Sequence, residues 1–331
     1  MNQGQLARID ETNPRIALIG AGIMGAGMAE RLLDQGFAVD VWDRTPAAAA
    51  RLAERGATAH GHAGAAIRVA DVVVTMLPTG DAVTDIMLLQ DNLAAMRRDA
   101  IWAQMGTIGV EATEHLIAAV AARRPDVPFV DAPVSGTRDP ARNGQLTILA
   151  SGPERARATL EPVFSALGRR VLWLGAAGLG MRLKLVLNTW LAFEIEAAAE
   201  ASAAADRLGV PYGALLAAVQ GGPLASATAL ARLAKMENAD HSTQFPLEWA
   251  LKDLDLTEAA SGPDAIPVAK AIADRWRILV REGYGRLDAS AARLGLTSDA
   301  DGGARTGAEV VEASVNHPQR VTPAHPAARE A

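Results

Sequence analysis

The feature that most constrains the fold of this chain is a cluster of three glycines near its start, Gly20-Ala21-Gly22-Ile23-Met24-Gly25. A short apolar run, 16–19, precedes the cluster, and residues 23–35 after it carry apolar side chains at helical spacing. A second apolar run, 38–42, has the composition of a strand. A strand, a glycine turn, a helix and another strand predict a βαβ unit, in which the two strands lie parallel.

The same alternation continues to about residue 174. The apolar runs predict further strands at 72–76, 101–104, 129–130, 146–150 and 170–174, with helices at 110–122 and 154–167. This order predicts an α/β domain with a doubly wound, mostly parallel sheet. From about 179 to 208 the pattern indicates one long helix, of about 45 Å, which joins this domain to a second, all-α domain and forms one wall of a cleft between them.

These patterns divide the chain into four parts. They are an N-terminal extension (1–14), an α/β domain (15–177), an all-α domain (178–298), and a C-terminal tail (299–331). The tail is polar and rich in Gly, Pro and Ala, which predicts mobility. The polar start and the lack of a long apolar run predict neither secretion nor a membrane span, so we expect a cytoplasmic protein.

Composition narrows the classes of function. A net charge of −6 gives no basic field for nucleic acid. The absence of cysteine excludes disulfides and thiolate chemistry, and the six histidines lie far apart without metal-ligand spacing. We therefore expect no metal, no nucleic acid and no membrane among the partners of this protein.

The spacing of the glycines is that of a dinucleotide-binding Rossmann domain. Gly20 allows a tight turn, Gly22 lets the backbone approach a pyrophosphate, and Gly25 lets the helix pack close to the strand. Ile23 and Met24 begin the helix, whose N-terminus attracts the phosphates. We expect all five residues to contact a nicotinamide cofactor.

The residues after the second strand leave the choice of cofactor open. Asp43 is placed to accept hydrogen bonds from ribose hydroxyls, which favours NAD. Arg44 and Thr45 follow directly and can bind a 2′-phosphate, which favours NADP, although Arg44 in a solvated loop has no such role. The sequence therefore predicts NAD or NADP.

Three further segments join the glycine cluster in one pattern: Asp131-Ala132-Pro133-Val134-Ser135-Gly136, Lys184-Leu185-Val186-Leu187-Asn188, and Lys252-Asp253-Leu254. With them, the chain from about residue 15 to 296 resembles the β-hydroxyacid dehydrogenase family, which includes 3-hydroxyisobutyrate dehydrogenase. Thr137 in place of a second glycine is more similar to the glyoxylate/succinic semialdehyde reductase branch. The resemblance implies a small carboxylate-bearing substrate and a homodimer, with the all-α domain (178–298) carrying substrate and dimer contacts.

The resemblance also implies roles for individual residues. Lys184 is implied as the general acid/base and Asn188 as its orienting partner, since positions i and i+4 share one helix face. A lysine suits this role when loss of water lowers its pKa towards neutrality, and a closed cleft between the two domains would supply that effect. Alternatively, Lys184 is an ordinary surface lysine and Asn188 a packing amide.

Ser135, Gly136 and Thr137 are predicted to lie in a turn and to bind the substrate carboxylate, with Ser135 also counted among the catalytic residues. Lys252 resembles the family's lysine near cofactor and substrate, or it forms a salt bridge with a neighbouring aspartate. Leu77, Pro78 and Thr107 resemble loops that line the nicotinamide ribose, or they are ordinary loop residues. Besides Thr137, the chain departs from the family pattern at three further positions, which are Gln104, Gly106 and Leu187.

The sequence thus predicts an NAD(P)-dependent oxidoreductase that interconverts a small β-hydroxyacid, or a related hydroxy acid, and its semialdehyde or other carbonyl acid. Two alternatives stay open. One is an imine reductase of the same fold, which Lys184 argues against. The other is a non-catalytic NAD(P)-binding dimeric module, which the pair Lys184 and Asn188 argues against.

Overall fold

The structure is a computed structural model that describes residues 13–296. Most of the predicted N-terminal extension and the whole predicted tail lie outside these residues. The described chain divides into two compact units. Unit 1 contains the residues up to Phe193 together with Ala250–Ala273, and unit 2 contains Glu194–Trp249 with the residues from Asp274 onward. Within residues 13–296, no helix combines the length and apolar character that a membrane span requires.

The main sheet of unit 1 has six parallel strands in the order β3-β2-β1-β4-β5-β6. The strands are β1 (Ile16–Ile19), β2 (Val39–Trp42), β3 (Thr58–Ala59), β4 (Val72–Thr75), β5 (Ile101–Gln104) and β6 (Phe129–Asp131). The helices between them are α1 (Ile23–Asp34), α2 (Pro46–Ala53), α3 (Ala63–Ile67), α4 (Gly80–Thr84), α5 (Asn92–Ala95) and α6 (Val110–Arg123), with a π-helical turn at Asp85–Leu89. This order confirms the predicted doubly wound fold class.

Apolar cores cover both faces of this sheet because successive strand residues point to opposite sides. In β1, Ile16 and Leu18 face one core, whereas Ala17 and Ile19 face the other. The second core also holds the fully buried Trp102, whose ring packs edge-on against Phe129 at a centroid distance of 5.1 Å. Both faces of the sheet are therefore covered by apolar side chains, as is usual for parallel sheets.

The last predicted strands do not extend the main sheet. A separate three-stranded sheet is formed by β7 (Val134–Ser135), β8 (Leu146–Ala150) and β9 (Gly168–Trp173), and its helices are α7 (Arg138–Arg142) and α8 (Arg157–Leu167). The prediction of one sheet was wrong here. After β6 the chain reaches Pro133, which has no N–H to donate, and β8 returns antiparallel so that Leu149 donates to the carbonyl oxygen of Pro133.

The remaining elements are helical. They are α9 (Leu179–Arg207), α10 (Tyr212–Val219), α11 (Ala227–Glu237), α12 (Leu247–Ser261) and α13 (Pro267–Arg281), followed by short 3₁₀ turns. The predicted helical C-terminal region is confirmed. The predicted long helix ends one residue early, at Arg207.

Candidate active site

The glycine cluster forms the turn between β1 and α1. Gly20 has a φ angle of +105°, which glycine adopts without strain. A Cβ atom at Gly25 would overlap the carbonyl oxygen of Gly20, whereas one at Gly22 would meet nothing within 4 Å. Helix α1 therefore packs tightly on the turn, while the approach to Gly22 is open.

This turn fits the pyrophosphate of a dinucleotide. Gly22 is the N-cap of α1 and offers no side-chain acceptor, so the amides of the first helical turn keep their hydrogen-bonding capacity. Ile23 is 43% exposed, and Met24 is partly buried against the core. Open backbone amides at a helix N-terminus are the standard protein site for phosphate groups.

Asp43 lies at the end of β2 and is tied to the same turn. Its carboxylate accepts a 2.7 Å hydrogen bond from the backbone N–H of Ala21 and another of 2.7 Å from that of Thr45. Arg44 and Thr45 are exposed beside it. The structure thus places all three predicted residues next to the glycine turn, with Asp43 organising the backbone there.

Lys184 and Asn188 lie one helical turn apart on α9, and each is only 7% exposed. The amide nitrogen of Asn188 donates to the carboxylate of Asp253 on α12. No hydrogen bond or ion pair within residues 13–296 holds the Lys184 amine. Burial lowers the pKa of Lys184 to about 8, although Asp253 opposes this shift; the charge of Lys252 lowers it further.

Asp253 is a site residue that the sequence reasoning missed, because it treated this aspartate only as a salt-bridge partner. Asp253 is 3% exposed. One of its carboxylate oxygens accepts a hydrogen bond from Asn188, and the other lies 3.1 Å from Nζ of Lys252. The signal that pointed to it was its place beside Lys252 in a motif flanked by leucines. Asp253 links the two segments that carry the predicted catalytic and cofactor residues.

Lys252 brings two loops of the main sheet together. Its ammonium donates to the carbonyl oxygens of Pro78, at 3.0 Å, and Thr107, at 2.5 Å. Pro78 follows β4 and Thr107 follows β5, so both lie at the carboxyl edge of the sheet, where doubly wound folds bind ligands. The alternative of a salt bridge is present in the structure, since Lys252 also pairs with Asp253, whereas a role near cofactor and substrate stays a prediction.

The two departures from the family pattern at the end of β5 are explained by packing. Gln104 is fully buried, and its side chain hydrogen-bonds to Thr75 and to both the N–H and the carbonyl of Gly106. A Cβ atom at Gly106 would overlap the carbonyl oxygen of Leu77. Gln104 therefore shapes the loop, and glycine is the residue that fits against Leu77.

The predicted carboxylate-binding segment lies in unit 1 but begins in a strand. Ser135 belongs to β7 and pairs with Thr147, so its placement in a turn was wrong. Gly136 has a φ angle of +141°, and Thr137 precedes α7 without using its side chain as a cap. Helix α7 packs on α1 at Gly27, so this segment is fixed against the helix that follows the glycine turn.

Helix α9 begins on two buried polar side chains. Asp131 accepts a 2.7 Å hydrogen bond from the N–H of Met181, and Ser151 accepts one of 2.9 Å from that of Gly180. Burial raises the pKa of Asp131 to about 7, against the opposing effects of its hydrogen bonds from Met181 and Ser151 and of the charge of Arg182. Across residues 13–296 there is no cluster of three His, Cys, Asp or Glu side chains that suits a metal ion.

Comparison with known proteins agrees with this architecture. Residues 15–175 match the family described as the NAD binding domain of 6-phosphogluconate dehydrogenase, and residues 178–294 match the NAD-binding family of NADP-dependent 3-hydroxyisobutyrate dehydrogenase. NAD-dependent L-serine dehydrogenase of Pseudomonas aeruginosa is 33% identical over 83% of this chain and 95% of that protein. Glyoxylate/succinic semialdehyde reductase 1 of Arabidopsis thaliana is 29% identical over 83% and 96%.

Solved structures lead to the same class. 3-Hydroxyisobutyrate dehydrogenase of Mycobacterium tuberculosis with L-serine superposes with a TM-score of 0.78 at 30% identity and covers 86% of this chain and 100% of that one. An imine reductase from Myxococcus stipitatus shares the fold at a TM-score of 0.59 and 20% identity, over 86% of this chain and all of that one. The chain belongs to the β-hydroxyacid dehydrogenase family and is an NAD(P)-dependent oxidoreductase that acts on CH–OH groups.

Proposed function

We propose that this protein interconverts a small hydroxy acid and its aldehyde acid, with Lys184 as the general acid/base. The observation that carries the proposal is a buried lysine amine with no hydrogen-bond partner within the described chain and a pKa lowered to about 8. A lysine in this state exchanges protons near neutral pH. The named substrates of two relatives, a semialdehyde acid and L-serine, support an acid of this size.

The nicotinamide cofactor supplies or accepts the hydride. In reduction, Lys184 gives its proton to the carbonyl oxygen of the substrate, and in oxidation the free amine takes the proton back. Asp253 fixes the amide of Asn188 beside this lysine. Ser135, Gly136 and Thr137 offer hydroxyls and backbone N–H groups for the substrate carboxylate.

The residues around the glycine turn support NAD or NADP. Asp43 is already engaged by two backbone N–H groups, and the exposed Arg44 lies next to it. We propose that Arg44 binds the 2′-phosphate of NADP, whereas Asp43 accepts hydrogen bonds from the ribose hydroxyls of NAD. Lys252, Leu77, Pro78 and Thr107 line the nicotinamide end in this proposal.

The first experiment measures cofactor oxidation by the purified protein. NADPH and NADH are each tested with glyoxylate, succinic semialdehyde, methylmalonate semialdehyde, tartronate semialdehyde and a cyclic imine. Turnover with an aldehyde acid supports the proposal and settles the cofactor. Turnover with the imine alone supports an imine reductase, and tight cofactor binding without any turnover favours a non-catalytic module.

The lysine is tested by Lys184→Ala. We expect kcat to fall by about 10²–10⁴-fold, the usual contribution of a general acid, with the Kd for cofactor changed less than about two-fold. The matched control is Lys235→Ala, because Lys235 lies in unit 2 and is bonded to Asp240 and Ser242. Retained turnover in Lys184→Ala would remove the proton-transfer role.

We also propose a homodimer. Helix α9 carries exposed apolar side chains at Leu179, Val186 and Trp190, and the last of these is 65% exposed. An exposed apolar row at helical spacing is typical of a surface that another chain covers. Size-exclusion chromatography with light scattering measures the molar mass of the protein and so distinguishes a dimer from a monomer.

A further inference from the structure

Asp131 occupies a junction between three elements of unit 1. It is the last residue of β6, and its backbone N–H and carbonyl both pair with the backbone of Ser151, at 2.9 and 2.7 Å. Ser151 directly follows β8, and both residues are fully buried. The ends of β6 and β8 are thereby locked together.

The side chains of the same two residues hold the first turn of α9. Asp131 binds the N–H of Met181 and Ser151 that of Gly180, while the Ser151 hydroxyl donates towards the carbonyl and carboxylate oxygens of Asp131 at 3.2 and 3.3 Å. A Cβ atom at Gly180 would overlap the carbonyl oxygen of Leu149. The helix therefore starts in direct backbone contact with the sheet, held by two side-chain acceptors.

The carboxylate of Asp131 has fewer partners than a residue that only caps the helix would need. The second carboxylate oxygen of Asp131 is buried without a hydrogen-bond partner in the described chain. The cation that acts on it, Arg182, directs its guanidinium to Glu114 at 2.5 Å and to the carbonyl of Gly178. A neutral cap residue would hold the helix without a buried, half-satisfied carboxyl group.

We propose that Asp131 and Ser151 are positioning residues for Lys184. Lys184 follows Met181 by three residues, about 4.5 Å along a rigid helix, so the height of the first turn sets the height of the amine. Asp131 also begins the segment that leads to Ser135. The same residue therefore positions both the lysine and the segment proposed to bind the substrate carboxylate. A displacement of about 1 Å between reacting groups lowers turnover by up to about 100-fold.

This inference rests on the proposed role of Lys184, and the experiment separates the two. Asp131→Ala, Ser151→Ala and Asp131→Asn are compared with Asp40→Asn and Lys184→Ala. Asp40 is a matched control because it is fully buried in β2 of the same unit, where it bonds to Arg15 and His60 at 2.6 Å. For each variant one measures kcat, cofactor Kd, melting temperature and the pH dependence of reduction.

We expect Asp131→Ala and Ser151→Ala to lower kcat by at least about ten-fold while cofactor Kd changes less than about three-fold. The pH at which reduction is half lost, near 8 in the parent, should rise by roughly half a unit or more, because a displaced lysine regains water. Asp131→Asn, which keeps an acceptor for Met181, should recover part of kcat.

The inference is overturned if the two capping variants lose stability but change kcat and the pH profile no more than Asp40→Asn does. Ser151→Ala decides the question if Asp131→Ala does not fold. If Lys184→Ala retains turnover, the proposed function fails as well. Loss of turnover in Lys184→Ala together with unaltered capping variants removes only the positioning role.

Discussion

Two regions of this molecule bury charged side chains in opposite ways. In unit 2, Asp288 is fully buried and is bound by Arg232 and by the backbone N–H groups of Gln244, Phe245 and Ser290. Burial alone would raise the pKa of Asp288, but Arg232 and these donors together lower it below its ordinary value. Every oxygen of this carboxylate therefore has a partner.

At two sites of unit 1, unlike at its buried Asp40, which pairs with Arg15, burial is not compensated in this way. Lys184 has no hydrogen bond and Asp131 leaves one oxygen without a partner within the described residues, and the pKa of each moves towards neutrality. Buried charges normally persist only when they are paired. The difference teaches that unit 2 uses buried charge to hold its helices together, whereas unit 1 keeps two ionisable groups close to the point where they change charge.

The largest expected effect on stability comes from two substitutions. One removes a buried charge that pairs with another charge, and the other removes a buried charge without a hydrogen-bond partner in the described chain. Arg232→Met leaves Asp288 buried and unpaired, which should lower the free energy of unfolding by about 3–5 kcal/mol. Lys184→Met removes a charge that burial disfavours, so it should raise the free energy of unfolding by about 1–3 kcal/mol at pH 7. Urea unfolding at pH 7 measures both, and similar losses in the two variants would break the comparison.

The next effect is a pH dependence of stability that belongs to Asp131. Its pKa is 3.8 in the unfolded chain and about 7 in the folded protein. Between these values the folded protein holds a proton that the unfolded chain releases, so stability falls as the pH rises from about 4 to 7. Three pKa units correspond to a loss of up to about 4 kcal/mol.

This pH dependence is measured as the difference between the parent and Asp131→Asn in urea at pH 4.5 and 7.5. The asparagine does not titrate, so the difference between the two proteins should change between these pH values. Parallel behaviour of both proteins would show that Asp131 has an ordinary pKa in the fold.

The smallest effect sharpens the comparison at Lys184 itself. Asp253 raises the pKa of this lysine against the effect of burial, so Asp253→Asn should lower it from about 8 by roughly half a unit to one unit. Reduction should then lose activity at correspondingly lower pH. Asp255→Asn on the same helix is the control, and an equal shift there would contradict a specific role of Asp253.

The sequence was sufficient where local pattern and fold agree. The ends of β1, β5 and β8 follow from apolar runs that stop at glycine or polar residues, and the glycine spacing is specific to one turn. Sheet membership is a different matter. The apolar run Leu146–Ala150 would suit the main sheet as well as a second sheet. The run alone therefore does not show that β8 pairs with the segment at Pro133 in a separate sheet.

The candidate site was predictable in part for the same reason. Lys184, Asn188 and Lys252 lie in short motifs, and the structure brings them together around Asp253. Asp253 itself was missed, because an aspartate beside a lysine on a helix reads as a surface ion pair and burial is not visible in one sequence. Likewise, Ser151 and Asp131 lie twenty residues apart, and their shared contact with α9 exists only in three dimensions.

The contact between Gly106 and Leu77 has a consequence for attempts to redesign substrate preference. Because the carbonyl of Leu77 fills the space of any side chain at position 106, a serine or threonine copied there from a relative would push the β4 loop away. That loop carries Pro78, whose carbonyl oxygen accepts a hydrogen bond from Lys252. A variant that takes over residues of a relative at this place therefore has to replace the loops after β4 and β5 together. The replacement has to include the end of β5, which carries Gln104.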